Sequence, residues 1–217
     1  MPKIVAAIVA RNEAAPDRYL ARVLANCASL CDETVVVDDG STDDTARMAR
    51  AAGAIVSQYG AATEGGFWGV NETSPRAHLW ELASKIAGPD GWIYVADADH
   101  ELVGVTRTQL HTLCSTTFST CWALPLWDCW DSDVTHRVDG FWQAWRSPRP
   151  WLFKAHPHTG WAPRWDVRGI HAGHSPGNFP LRPGAAPAGM AIRHLGYISR
   201  AHREAKAARY LALVDTR

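Results

Sequence analysis

Residues 91–102 read GWIYVADADHEL, and they decide the fold that the sequence predicts. The first half of this stretch is a run of aromatic and β-branched residues, which is typical of a buried strand. The run ends abruptly in Asp97 and Asp99, with Ala98 between them. Because side chains alternate along a strand, the two carboxylates are expected on one side, where they repel each other unless a cation lies between them. Hard oxygen ligands favour Mg²⁺ or Mn²⁺, although such acids also serve as a helix cap.

Three more strands are predicted upstream of this one, each from a short apolar run. They lie at residues 3–10 (KIVAAIVA), 33–39 (ETVVVDD) and 54–57 (AIVS). Polar clusters follow three of the four strands, at residues 10–13, 38–44 and 97–100.

Helices are predicted between these strands from apolar residues at helical spacing. The first contains Pro16 in its first turn, the second is capped by Ser41 or Thr42, and the third is capped by Ser74 and ends before Gly88. Alternation of strand and helix predicts an α/β fold with a single open, mostly parallel, twisted sheet flanked by helices. Since such sheets bind ligands at the carboxyl ends of their strands, we expect the polar clusters to meet in one nucleotide-sized site.

The second half of the chain is less regular. Strands are predicted at residues 121–130 (CWALPLWDCW) and 150–154 (PWLFK), and a helix capped by Ser199 at residues 199–214. Between them, residues 155–190 are rich in Gly, Pro and His and are interpreted as long functional loops. We found no repeat and no linker, so a single domain is expected over residues 1–217.

Composition narrows the class of protein. Lys plus Arg equals Asp plus Glu, at 22 each, so no global field favours nucleic acid or an acidic membrane. The five cysteines form no CxxC pair, which favours reduced thiols in a cytoplasmic protein. The first residues do not have the pattern of a signal peptide, and no apolar run is long enough to span a bilayer.

Four motifs occur in the order seen in glycosyltransferases of the GT-A fold, and they resemble family 2. They are AIVARNEA, ETVVVDDGSTDDT, IYVADADHEL and IRHLGYISRAHREAKAARYL, and the resemblance covers about residues 4–103 and 192–211. It implies a GT-A domain with a donor half at about 1–103 and an acceptor half with a C-terminal helix at about 104–217. The implied activity is metal-dependent transfer of a sugar from a nucleotide-diphospho-sugar, UDP-sugars being favoured, to an acceptor hydroxyl with inversion.

The resemblance also assigns roles to residues. Asp97, Asp99 and His194 would hold Mn²⁺ or Mg²⁺, and Asp97 and Ala98 would contact the donor. Arg76 would contact the base or the diphosphate. The nucleoside would be bound by the ARNE segment together with Asp39, which would contact the base or ribose; the segment comprises Ala10, Arg11, Asn12 and Glu13.

One position departs from the family pattern. Many relatives have a His-Glu pair before the C-terminal segment, and its Glu is the natural proton acceptor, whereas this chain has Ala172 there. Asp166 is our choice of catalytic base because it is close in sequence to the loop expected over the donor. Five more residues are candidates for this base: Asp128, Asp131, Asp133, Asp139 and His171.

Tryptophan is unusually frequent, with 11 residues, and eight of them lie between Trp122 and Trp165. They indicate either a Trp-rich core or a surface on which an acceptor stacks. We expect acceptor binding at Trp127, Trp130, Trp142 and Trp145. The acceptor stays open between a glycan, a protein, a lipid-linked molecule and a modified nucleic acid, and a homodimer is a further expectation.

The four histidines of the loop region allow two interpretations. Irregular spacing and the lack of cysteine partners favour a loop lining over a zinc site; they are His156, His158, His171 and His174.

Two other classes of protein share parts of this pattern. A sugar nucleotidyltransferase usually needs a Gly-rich loop near the N-terminus, and residues 10–16 (ARNEAAP) contain no Gly. A non-catalytic binder of sugar nucleotides or glycans, with a decayed site, is favoured by the missing Glu and opposed by the intact acids and His194.

Overall fold

The computed structural model describes residues 1–60, 70–115, 118–169 and 171–214. Its larger sheet has seven strands in the order β3-β2-β1-β4-β8-β6-β9, and the four at one side are mutually parallel. This confirms the predicted open α/β sheet. The strands are β1 Ile4–Ala10, β2 Glu33–Asp38, β3 Ile55–Gln58, β4 Trp92–Asp97, β6 Cys121–Leu124, β8 Arg149–Lys154 and β9 Pro183–Ala185.

A second, three-stranded sheet corrects the expectation of a single sheet. It consists of β5 (His100–Val103), β10 (Ala191–His194) and β7 (Leu126–Asp128), with β10 in the centre. The segment predicted as one strand at residues 121–130 is thus two strands in different sheets. Pro125 separates them, because proline has no amide hydrogen with which to continue a ladder.

Helices cover both faces of the larger sheet, since alternate residues of β1 belong to different hydrophobic cores. The helices are α1 Leu20–Leu30, α2 Thr45–Ala51, α3 Thr73–Ala87, α4 Arg107–Cys114 and α5 Arg200–Val214. Ile4 and Ile8 pack in the core that includes residues of α1, α2 and α4, whereas Val5 packs with α3.

Two helices begin later than predicted. Pro16 lies in a turn before α1, which begins only at Leu20. In α2, which begins at Thr45, the expected cap Ser41 is used elsewhere, because its hydroxyl donates to Asp38 and accepts from the Asn12 amide. The loop before α2 is therefore held by the neighbouring strand end.

Predicted helix ends elsewhere agree with the structure more closely. The amide of His202 donates to Ser199 Oγ at 3.0 Å, which is the predicted cap of α5. The third helix, α3, begins at Thr73, one residue before the predicted cap Ser74, and ends before Gly88 with its φ of +77°.

Part of the Trp-rich segment belongs to the core. Trp122 and Trp151 are buried, and Trp161 and Trp165 pack edge-on against Trp80 of α3. No helix within the described residues combines the length and the apolar composition that crossing a bilayer requires.

All five cysteines are buried and unpaired, and we expect them to be slow to react in the native protein. Burial raises the pKa of Cys27 to about 12, so little reactive thiolate forms near neutral pH. Labelling with a chromogenic disulfide reagent should titrate five thiols per chain only after unfolding. Prompt labelling of native protein would contradict this packing.

Candidate functional site

A cleft of about 1190 Å³ lies at the carboxyl ends of β1, β2 and β4. This is the edge of the sheet at which the polar clusters were predicted to meet. Most of the predicted site residues line the cleft: Ala10, Arg11, Glu13, Asp39, Arg76, Asp97, Ala98, Asp99 and His194.

The register of the smaller sheet places His194 between two other polar residues. His194 of β10 pairs with His100 of β5 on one side and with Asp128 of β7 on the other. Its Nδ1 lies 2.8 Å from Asp128 Oδ1, and its ring is perpendicular to that of His100 with centroids 4.7 Å apart. The orientation of the His194 imidazole is therefore fixed from both sides.

The other nitrogen of His194 faces Asp99, with Nε2 3.1 Å from Oδ2. Burial alone would lower the pKa of His194, but the charge of Asp99 and the hydrogen bond to Asp128 raise it to about 9. For Asp99, burial would raise the pKa, yet the charge of His194 holds that pKa below its ordinary value. Asp99 is consequently an ionised carboxylate.

The second carboxylate, Asp97, has an arginine as its main partner. Arg76 Nη2 lies 3.0 Å from Asp97 Oδ1 and 2.6 Å from Glu72 Oε1. Burial raises the pKa of Asp97, but the charge of Arg76 outweighs it and holds that pKa well below its ordinary value. Arg76 Nη1 is buried and has no hydrogen-bond partner among the described residues.

The alternation expected over Asp97 and Asp99 is wrong, because β4 ends at Asp97 and residues 98–99 form the turn into β5. His100 lies beneath this turn. Its Nδ1 accepts the Asp97 amide at 3.3 Å, and its Nε2 lies 3.7 Å from Asp99 Oδ1. Burial lowers the pKa of His100 to about 4, so it is a neutral support for the turn.

Two adjacent groups of side chains within the described ranges can hold a metal ion. Asp99 and His194 belong to the first and Asp97 and His174 to the second, with His100 shared by both. The predicted trio of Asp97, Asp99 and His194 is thus divided between them. Sequence reasoning missed His100 and took His174 for a loop lining.

The first group fits a divalent cation of the Mn²⁺ or Mg²⁺ type. Carboxylate oxygen and neutral imidazole nitrogen are suitable ligands for Mn²⁺, so an ion that binds here displaces the proton that the raised pKa of His194 retains. A histidine ligand typically gives its other nitrogen to a carboxylate, as His194 does to Asp128. The sequence had indicated Asp128 only as a candidate base.

Gly196 has no side chain, and this makes room for the side chains of Asp99 and His194. A Cβ atom on Gly196 would lie 2.2 Å from Asp99 Oδ2 and 3.1 Å from His194 Nε2. Only glycine therefore lets the carboxylate approach the imidazole so closely.

Gly196→Ala is expected to displace Asp99 and weaken Mn²⁺ binding by about tenfold or more, the range seen when the support of a metal ligand is lost. Isothermal titration calorimetry measures the affinity. Gly140→Ala is the matched control, because a Cβ there meets nothing within 4 Å. Unchanged Mn²⁺ affinity in Gly196→Ala would mean that the metal does not use this space.

At the end of the cleft formed by β1 and β2, hydrogen bonds join the ARNE segment to the loop before α2. Arg11 Nη1 donates to the Asp39 carbonyl at 2.6 Å, and the Thr42 amide donates to Asn12 Oδ1 at 2.9 Å. Asn12 adopts a left-handed backbone with φ of 51° and is not part of the cleft lining. Asn12 shapes the loop, whereas Arg11 and Asp39 line the cleft.

The structure does not bring Asp166, our choice of base, into the cleft. Asp166 is exposed, and its carbonyl accepts a hydrogen bond from Thr73 Oγ1 at 2.9 Å, which ties its loop to α3. Asp128 and His171 do line the cleft, and the His171 ring stacks on Tyr210 of α5 at 5.7 Å. The three remaining candidate bases form ion pairs outside the lining: Asp131 with Arg203, Asp133 with Arg22 and Asp139 with Arg137.

Of the four tryptophans expected at the acceptor, only Trp142 lines the cleft. The guanidinium groups of Arg137 and Arg203 both lie over the Trp130 ring, 4.5 and 4.1 Å from its centroid. Trp127 stacks on His136, and Trp145 contacts Arg146. Sequence reasoning missed Phe141, which is 91% exposed at the cleft.

Several solved structures are similar to the chain. S. aureus TarS 1-349 in complex with UDP matches at 22% identity over 59% of this chain and 35% of that one, with a TM-score of 0.41. Glucosyl-3-phosphoglycerate synthase from Mycobacterium tuberculosis, in complex with Mn²⁺, UDP and glucosyl-3-phosphoglycerate, matches at 22% over 58% and 44%, with a TM-score of 0.36. A 4-diphosphocytidyl-2C-methyl-D-erythritol synthase matches at 19% over 71% and 76%, with a TM-score of 0.42.

Glycosyltransferases, the class that the motifs resemble, are thus among the solved structures to which this chain is similar, and the chain spans less than half the length of those two. No protein-family model and no curated protein matches the sequence.

Proposed function

We propose that the protein is a glycosyltransferase that moves a sugar from a nucleotide-diphospho-sugar, a UDP-sugar in first place, to an acceptor hydroxyl with inversion. The observation that carries this proposal is the position of the acid–imidazole group. Asp99 and His194 lie in the same cleft as Asp39 and the ARNE segment, at the ligand-binding edge of the sheet.

The metal end of the donor site is assigned to Asp99 and His194, with Asp97 beside them. These residues would hold Mn²⁺ or Mg²⁺, which would neutralise the charge that develops on the departing nucleoside diphosphate. Asp128 keeps His194 Nε2 directed at the cleft through its bond to Nδ1. His100 keeps the turn between the two acids in place.

Arg76 is assigned to the diphosphate or the base of the donor. Glu72 and Asp97 hold its Nη2, so the guanidinium plane is fixed before a ligand arrives. The buried Nη1 then has a hydrogen to donate, and a phosphate oxygen is the acceptor that such a donor prefers.

The nucleoside is assigned to Ala10, Arg11, Glu13 and Asp39. Asp39 is buried at the end of β2 and lines the cleft, where its carboxylate can accept from a base N–H or a ribose hydroxyl. Asn12 acts indirectly, by holding the ARNE segment on the neighbouring loop.

The acceptor hydroxyl must lose its proton as it attacks the anomeric carbon. Among the candidates from the sequence that line the cleft, Asp128 is already bonded to His194, which leaves the exposed His171. We assign the role of proton acceptor to His171. Phe141 and Trp142 are assigned to the wall of the cleft against which the acceptor molecule binds.

The donor is tested by a thermal-shift panel of UDP-, GDP-, CMP- and dTDP-sugars with and without Mn²⁺. A UDP-sugar at ~100 times its Kd should add about 2.7 kcal/mol to the free energy of unfolding, and only with Mn²⁺ present. Asp39→Asn should weaken this shift, because an N–H of the base or a hydroxyl of the ribose would lose a charged oxygen as its hydrogen-bond partner. Asp139→Asn, at an exposed carboxylate outside the cleft, is the control.

Turnover separates an enzyme from a binder. The sugar nucleotide that stabilises the protein should slowly release free nucleoside diphosphate, and Asp99→Asn should abolish this release. Stabilisation without any release would favour a non-catalytic binder. No shift with any sugar nucleotide would refute the donor assignment itself.

A further inference from the structure

We propose that the side-chain ammonium of Lys206 in α5 occupies the Asp99–His194 site until a divalent cation displaces it. This inference rests on the proposed metal site and adds a competitor to it. Lys206 Nζ lies 3.7 Å from Asp99 Oδ2 and 3.0 Å from His194 Nε2, and both residues belong to one of the groups that can hold a metal ion.

The ammonium group is enclosed on several sides. Besides Asp99 and His194, it lies 4.4 Å from the centroid of the Tyr197 ring, whose face attracts a cation. The Lys206 side chain is 18% exposed, so its charge is partly removed from water. These contacts hold a positive charge beside Asp99 without a metal ion.

The space is too small for two cations. A Cβ atom placed on Gly196 would lie 3.1 Å from Lys206 Nζ, 3.1 Å from His194 Nε2 and 2.2 Å from Asp99 Oδ2. One small volume is therefore bordered by the ammonium and by both ligand atoms. A divalent cation bound to both ligand atoms would fill this volume, so it and the ammonium cannot both occupy it.

The helix that carries Lys206 is held mainly by polar contacts. None of the side chains described in α5 is buried. Arg203 donates to the carbonyls of Tyr197 and Ile198 and pairs with Asp131, all near the beginning of the helix. Lys206 adds a contact one turn further along, so displacing its ammonium should loosen the following part of α5.

The proposal is tested by the Mn²⁺ affinity of Lys206→Met, a variant that keeps the length of the side chain and removes its charge. The electron paramagnetic resonance signal of free Mn²⁺ measures binding without any activity assay. We expect Lys206→Met to bind Mn²⁺ about tenfold more tightly than the wild type, because no ammonium has to be displaced.

Arg200→Met is the matched control. It removes the same charge from the same helix, but Arg200 is 84% exposed and pairs with Glu204 instead of Asp99. The control therefore shows whether the loss of one positive charge from this helix is enough to change the affinity, and long-range effects are screened at physiological salt. Arg200→Met should bind Mn²⁺ with the wild-type affinity.

Hydrogen exchange supplies a second readout. In the wild type, Mn²⁺ should speed exchange of the α5 amides beyond Lys206, whereas in Lys206→Met exchange should be fast with or without Mn²⁺.

The outcomes separate this inference from the proposed function. Mn²⁺ binding that is equal or weaker in Lys206→Met would overturn the competition while leaving the metal site intact. Absence of Mn²⁺ binding in every protein would overturn both the metal site and the competition. Sugar-nucleotide binding is measured independently by the thermal-shift panel.

Discussion

The pairing of β10 between β5 and β7 is the constraint on which the site depends. It brings His194, Asp128 and His100 from three distant parts of the chain into one row. Asp99 directly precedes β5, so the same pairing sets its distance from the imidazole. A slip of one residue in β10 would turn His194 to the other face of the sheet and separate it from both acids.

Asp97 lies beside Arg76 and Asp99 lies beside Lys206, and these two cations differ in how firmly they are held. Arg76 belongs to α3, a helix packed on the larger sheet, and two carboxylates hold its Nη2. Lys206 belongs to α5, in which no described side chain is buried. Arg76 is therefore suited to be a fixed hydrogen-bond donor to a ligand beside Asp97. Lys206 is suited to be an exchangeable cation beside Asp99. Two carboxylates confined in a partly buried cleft are costly unless compensated, so both cations also stabilise the folded protein.

Much of the larger sheet and its polar edge could be predicted, because a strand that is buried on both faces leaves a local, continuous apolar run. The smaller sheet could not, since the contact of His194 with Asp128 joins residues 66 apart and follows no local pattern. Asp166 was chosen for its closeness in sequence, but its loop is tied to Thr73 of α3 and Asp166 lies outside the cleft lining. The tryptophans were ambiguous for a similar reason, because an aromatic that stacks on arginine, as Trp130 does, has the same sequence signal as one that stacks on a ligand.

The most direct test of the donor site is the anomalous scattering of Mn²⁺ in crystals soaked with Mn²⁺ and a UDP-sugar. The account predicts one strong peak within coordinating distance of Asp99 and His194, next to the diphosphate, with the Lys206 ammonium moved away. A bound sugar nucleotide without a peak at these residues, or a peak elsewhere in the protein, would contradict it.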